Sequence, residues 1–127
     1  VVVVGSQLIG KPQDEAEAAA MIRSMRGQRH SVVTGVALLN ALTGERTIFY
    51  DGATVDMGAI DDAEINRYAA SGGWRGKAGG YNLTERVSAG WPITCQGDPT
   101  TVVGLPMKRL MPLLRERGVP INAGGEP

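Results

Sequence analysis

The sequence predicts an α/β fold: a mixed, twisted sheet with flanking helices and a cleft. Three observations predict it. Short apolar β-rich runs alternate with amphipathic helical segments. Two long β-rich runs, 30–42 and 46–57, flank the turn Thr43-Gly44-Glu45 and read as a hairpin. Between a helical segment and the next β-rich run lies Gly72–Tyr81, where five of ten residues are glycine and Arg75 and Lys77 are interspersed. Such a loop can bring backbone N–H groups close to an anion, and a lysine adds a point charge. Its spacing is neither a Walker A loop nor a dinucleotide-binding Gly-x-Gly-x-x-Gly. Taken alone, it is equally the composition of a surface turn.

Val1–Val4 followed by Gly5 reads as a buried parallel strand, the kind that sits inside a sheet. The sequence therefore reads as starting inside a domain, with one neighbour of this strand missing. Gly10-Lys11-Pro12 breaks the strand pattern. Asp14 and Glu17 stand at capping-box spacing before an alanine-rich helix, with Ala18, Met21, Ile22 and Met25 on its apolar face and Gly27 ending it. His30 opens the first long strand and reads as a surface residue, since no second ligand is spaced for a metal. Asp51-Gly52 in the second long strand suggests a bulge or bend.

Asp61 and Glu64 cap a second helix with Ile65, Tyr68 and Ala69 on one face, and this helix leads into the glycine loop. After Tyr81, segments 83–87 and 91–96 read as short strands. Gly97-Asp98-Pro99 is a turn. A helix over 108–117 carries a stripe of Leu110, Leu113 and Leu114 and ends at Gly118. The predicted domain covers 1–120, as the C-terminal portion of one domain, and 121–127 reads as a disordered tail.

At 127 residues the sequence is one domain or a piece of one. Thirteen basic and thirteen acidic residues balance, which argues against a broad nucleic-acid-binding face and requires any anion site to be local. The single Cys95 cannot form an internal disulfide and, with the single His30, offers no metal cluster; this suits a reducing cytoplasm. No apolar run is long enough for a bilayer.

Four pieces occur in a telling order: Gly10-Lys11-Pro12 before the alanine-rich helix, Thr34-Gly35-Val36, Gly76-Lys77-Ala78-Gly79-Gly80-Tyr81, and Val102-Val103-Gly104-Leu105-Pro106. Together they resemble the Maf family of nucleoside triphosphate pyrophosphatases, over nearly the whole sequence. The resemblance implies a Maf/ITPase-like fold, incomplete at its N-terminus. It implies hydrolysis of modified or pyrimidine nucleoside triphosphates to monophosphate and pyrophosphate, with Mg²⁺ or Mn²⁺ as cofactor. Partners are then a nucleoside triphosphate, neither a nucleic acid polymer nor a membrane, with a homodimer left open. Lys11 and Lys77 match the family's catalytic lysines and are expected in one cleft; Gly79 and Gly80 match its loop glycines.

The sequence departs from the family pattern in two places. The family's Ser-x-Ser-Pro-Arg-Arg and Ala-Asp-Thr motifs are not in it; the base aspartate of the latter is expected just before Val1. Where many members carry a nucleotide-selecting glutamine, this sequence has Thr84, with Glu85 beside it, as substrate-binding candidates. Should the chain turn over alone, Glu85 and Asp98 are the carboxylates to test. The alternative is a catalytically inactive nucleotide-binding remnant or regulatory protein, and a purely structural module would leave the two lysines apart in solvent.

Overall fold

A computed structural model describes residues 1–119. Five strands form one sheet in the order β2-β1-β3-β4-β5, every neighbouring pair antiparallel. The expected α/β architecture of a sheet with flanking helices is what the chain forms. Strand β1 (Val2–Val4), expected as a parallel strand, is antiparallel to both of its neighbours. Gly5, at φ 61°, takes the left-handed turn conformation and folds the chain back into β2 (Gln7–Ile9), a strand the sequence pattern did not separate from β1. β1 thus has a neighbour on each side, β2 and β3, where one was expected to be missing.

Helix α1 (Glu15–Met25) begins where Asp14 Oδ1 accepts the Glu17 N–H at 2.8 Å, while Glu17 Oε1 accepts from Gln13 N at 3.1 Å. Ala18, Ala19, Ile22 and Met25 are buried along its inner face. β3 (Gln28–Leu39) and β4 (Arg46–Met57) pair residue for residue from Gln28↔Met57 to Leu39↔Arg46. This continuous register leaves no bulge at Asp51-Gly52, which pair with Thr34 and Val33. Strand alternation then sends His30, Val32 and Thr34 to the same face as Asp51, Ala53 and Val55. That face is the core, so His30 is buried, not on the surface: 2% exposed.

Helix α2 (Asp62–Ser71) is capped by Asp61, whose Oδ1 accepts the Glu64 N–H at 2.9 Å, and it ends at left-handed Gly72. The stretch expected as a strand over 83–87 is helix α3 (Leu83–Ser88). Asn82 Oδ1 accepts the Glu85 N–H at 3.0 Å and starts it, and this cap outweighs the β propensity of Thr84 and Val87. β5 (Ile93–Gln96) follows, then α4 (Pro99–Val103) with Asp98 as N-cap, and α5 (Met107–Glu116) with Leu110 buried and Leu113 and Leu114 half-buried. The tail expected over 121–127 lies outside the described residues. Among those described, no helix is long and apolar enough to cross a membrane.

The core lies between the sheet and α1, α2 and α3, with Trp74, Tyr81 and Trp91 in the same cluster. The glycine loop is tied down from beneath. Trp74 Nε1 donates to Ala69 O at 2.7 Å, and the Tyr68 hydroxyl donates to Gly80 O at 2.7 Å. One flank of the loop is thereby fixed, and the other is left facing a cleft.

Candidate functional site at the glycine loop

The cleft measures about 180 Å³. Val2 of β1 and Val32 and Thr34 of β3 form one wall. Gly76, Lys77 and Ala78 form the opposite one, Tyr81 and Asn82 continue it, and residues 102–104 after α4 complete the rim. Local chemistry explains why these distant segments meet. Thr34 Oγ1 donates to Thr101 O at 2.8 Å, and Thr101 Oγ1 bonds the Asp51 carboxylate, so α4 is pinned across the β3–β4 pair. Asp98 fixes the start of α4 and ties it to the start of α5: its Oδ1 accepts from Thr100 N at 2.9 Å and its Oδ2 from Lys108 N at 2.9 Å.

Lys77 is the only charged side chain among the described residues lining the cleft. Its Nζ lies 2.7 Å from Glu85 Oε1, and the two side chains are 26% and 52% exposed. The hydrogen bond from Lys77 holds the Glu85 carboxyl below its ordinary pKa, so it is a carboxylate near neutral pH.

Lys11 is exposed and does not line this cleft. Its backbone is nonetheless beside the loop, because Gly10 O accepts the Gly79 N–H at 2.9 Å. Gly79 and Gly80 are buried, at φ 72° and 81°. Their N–H groups serve the fold, donating to Gly10 O and Lys77 O, both at 2.9 Å. A Cβ on Gly79 would stand 3.2 Å from Val2 Cγ2, so glycine here lets the loop pack onto β1. Thr84 is exposed on the first turn of α3, outside the cleft lining.

Two features of the site escape a sequence reading that treats His30 as superficial and 83–87 as a strand. The Tyr81 hydroxyl and His30 Nε2 are 2.6 Å apart in the buried floor. Burial lowers the His30 pKa, opposed by the charge of Asp56, and burial raises that of Tyr81, so both are neutral near pH 7. Asn82 is the other feature: it lines the cleft and caps α3. Two signals for them stand in the sequence, the alternation His30-x-Val32-x-Thr34 and the capping-box spacing Asn82-x-x-Glu85.

Against known proteins, residues 1–117 match the profile of the family described as Maf-like protein. The chain belongs to the Maf-like family. Over 118 residues this Maf-like chain is 39% identical to a protein of Pelotomaculum thermopropionicum named dTTP/UTP pyrophosphatase, covering 93% of the chain and 61% of that protein. A Salinibacter ruber protein of the same name is 36% identical over 115 residues, 91% of the chain and 56% of the relative. One from Cereibacter sphaeroides is 40% identical over 121 residues, 94% and 61%. The chain thus spans about six-tenths of the length of these curated relatives.

A divalent ion is implied by the family resemblance, and the donor set can be tested against it. Mg²⁺ and Mn²⁺ favour oxygen ligands, usually including one or two carboxylates. Among the described residues no three His, Cys, Asp or Glu side chains gather to hold a metal, and no carboxylate lines the cleft. The described residues of this Maf-like chain do not fit a protein-held ion.

Proposed function

We propose that this chain serves a nucleoside triphosphate pyrophosphatase acting on dTTP, UTP and related modified nucleotides. The observation that carries the reading is its 36–40% identity to relatives named for that activity. In the reaction, water oxygen bonds to the α-phosphorus, the bond from that phosphorus to the bridging oxygen breaks, and pyrophosphate leaves with the electron pair. Negative charge grows on the leaving group. A half-buried ammonium beside it favours that transition state over the ground state, and we assign this role to Lys77, supported by its position in the cleft lining. We assign Lys11 the same role, on the strength of its place in the sequence next to Gly10, whose carbonyl accepts the Gly79 N–H. Mg²⁺ or Mn²⁺ belongs in this reading to the triphosphate's own oxygens.

The attacking water must also lose a proton. Glu85 is committed to Lys77, and the oxygens of Asp98 are committed to Thr100 N in α4 and Lys108 N in α5, so neither is a free base among the described residues. This observation favours a second reading, in which these residues bind a nucleotide without turning it over.

One experiment separates the readings. The 127-residue chain is incubated with dTTP or UTP, released pyrophosphate and orthophosphate are quantified, and binding is followed by calorimetry. Pyrophosphate as first product, with kcat/KM lowered about tenfold or more in Lys77→Ala, supports the enzyme. Orthophosphate as first product overturns the reaction. Binding without turnover selects the second reading, and no binding overturns both.

A further inference from the structure

We propose that Glu85 is a built-in competitor for the anion site: it holds Lys77 as an internal ion pair that an incoming phosphate must displace. This deepens the reading of the cleft as a phosphate site and rests on it.

Three observations converge. Lys77 supplies the only charged side chain of the described cleft lining, so whatever neutralises it changes the charge an anion meets there. Glu85 does so at 2.7 Å. Nor is the carboxylate there by the chance swing of a long side chain. Its backbone is fixed because Asn82, a cleft residue, accepts the Glu85 N–H at 3.0 Å. The adjacent Arg86 is turned away onto aromatic rings, its guanidinium 4.3 Å from the centre of Tyr68 and 5.0 Å from that of Trp91. Glu85 is therefore left to Lys77.

The consequence is a cleft whose one charged side chain, among the described residues, is cancelled until a stronger anion arrives. A singly charged anion gains little by exchanging one carboxylate for another group of equal charge. Pyrophosphate or a triphosphate brings several charges to the same ammonium and displaces Glu85. The pair thus biases the cleft toward polyphosphates, and it closes again on Lys77 when they leave.

The test is a double-mutant cycle, with inorganic pyrophosphate as probe and calorimetry at fixed ionic strength near neutral pH. The proteins are the unaltered chain, Glu85→Gln, Lys77→Ala and the double variant. Glu85→Gln is expected to tighten pyrophosphate binding about three- to fivefold, the upper part of the range for releasing a half-exposed ion pair. In the Lys77→Ala background the same substitution is expected to change binding less than about twofold. Unchanged or weaker binding by Glu85→Gln overturns the proposal. So does equal tightening in both backgrounds, which would mean general repulsion rather than competition for Lys77. Absence of binding by every variant overturns it too. The pyrophosphatase reading is judged separately, by product release from dTTP, and can fail while this cycle succeeds.

Discussion

The Ala78–Gly80 turn has two sides, and they are built on opposite principles. Beneath it, Gly79 and Gly80 are buried in left-handed backbone, the Tyr68 hydroxyl holds Gly80 O, and the Tyr81 hydroxyl meets His30 at 2.6 Å. On the cleft side, Lys77 and Glu85 meet at 2.7 Å while staying partly in water. Both sides are polar contacts of similar length. They differ in what happens when one partner is removed. A buried group cannot recover its bond from solvent, whereas an exposed one can. The underside should therefore govern stability, and the cleft side should be free to exchange partners with a ligand.

The sharpest break in this comparison is Gly79→Ala. Alanine there must adopt φ 72° and place its Cβ 3.2 Å from Val2 Cγ2. The two costs sum to about 2–5 kcal/mol. Gly76→Ala is the matched control: φ is 73°, but nothing lies within 4 Å of the added carbon, leaving about 1–2 kcal/mol. Urea unfolding midpoints compare them. Equal losses would show that close packing of the loop onto β1 contributes nothing.

Next in size is Tyr81→Phe. It strands His30 Nε2 in the core, where Nδ1 already has no partner among the described residues, and should cost about 1–3 kcal/mol. The same histidine gives the underside a pH signature. Burial lowers its pKa below the ordinary 6.5. As pH falls below 6.5, the unfolded chain takes up a proton that the folded chain refuses, so stability is complete above that value and declines toward the folded-state pKa. Carboxylates held low by their partners, such as Asp62 by Arg26 and Glu64 by Trp91, act only further into acid. Unfolding midpoints measured from neutral pH down to about pH 5.5 should fall for the unaltered chain and stay flatter for His30→Gln. Parallel slopes would mean that His30 is not the group responsible.

Much of this architecture could be read in the sequence wherever a local rule decides the outcome. Asp14 and Asp61 announce their helices, and the β3–β4 hairpin follows from two β-rich runs around a glycine turn. The orientation of β1 could not be read so, because a valine run fits parallel and antiparallel neighbours alike and Gly5 decides between them. For α3, two local rules conflict: Thr84 and Val87 favour a strand, and the Asn82 cap wins. Lys77 stands out by its glycine neighbours, and Thr34 lies within a family-like motif. Their meeting across the cleft depends on the loop packing onto β1 at Gly79, a tertiary fact without local spacing. The Lys77–Glu85 contact is of the same kind, bridging eight positions across a turn whose geometry Gly79 and Gly80 set.

The smallest stability effect expected is at the residue with the strongest claim on function. Lys77→Ala removes a 26%-exposed side chain whose one charged partner is half in water, and water takes over both sets of bonds. Its melting temperature should stay within about 3 °C of the unaltered chain. Binding and kcat/KM, by contrast, should fall about tenfold or more if the lysine meets phosphate. Gly79→Ala should show the reverse ordering, with a large loss of stability and, in whatever fraction stays folded, Lys77 still in the cleft. Thermal melts alongside pyrophosphate calorimetry on both variants test this crossing. A Lys77→Ala chain that melts as early as Gly79→Ala would make the lysine part of the scaffold, and the two sides of the turn would no longer be distinct.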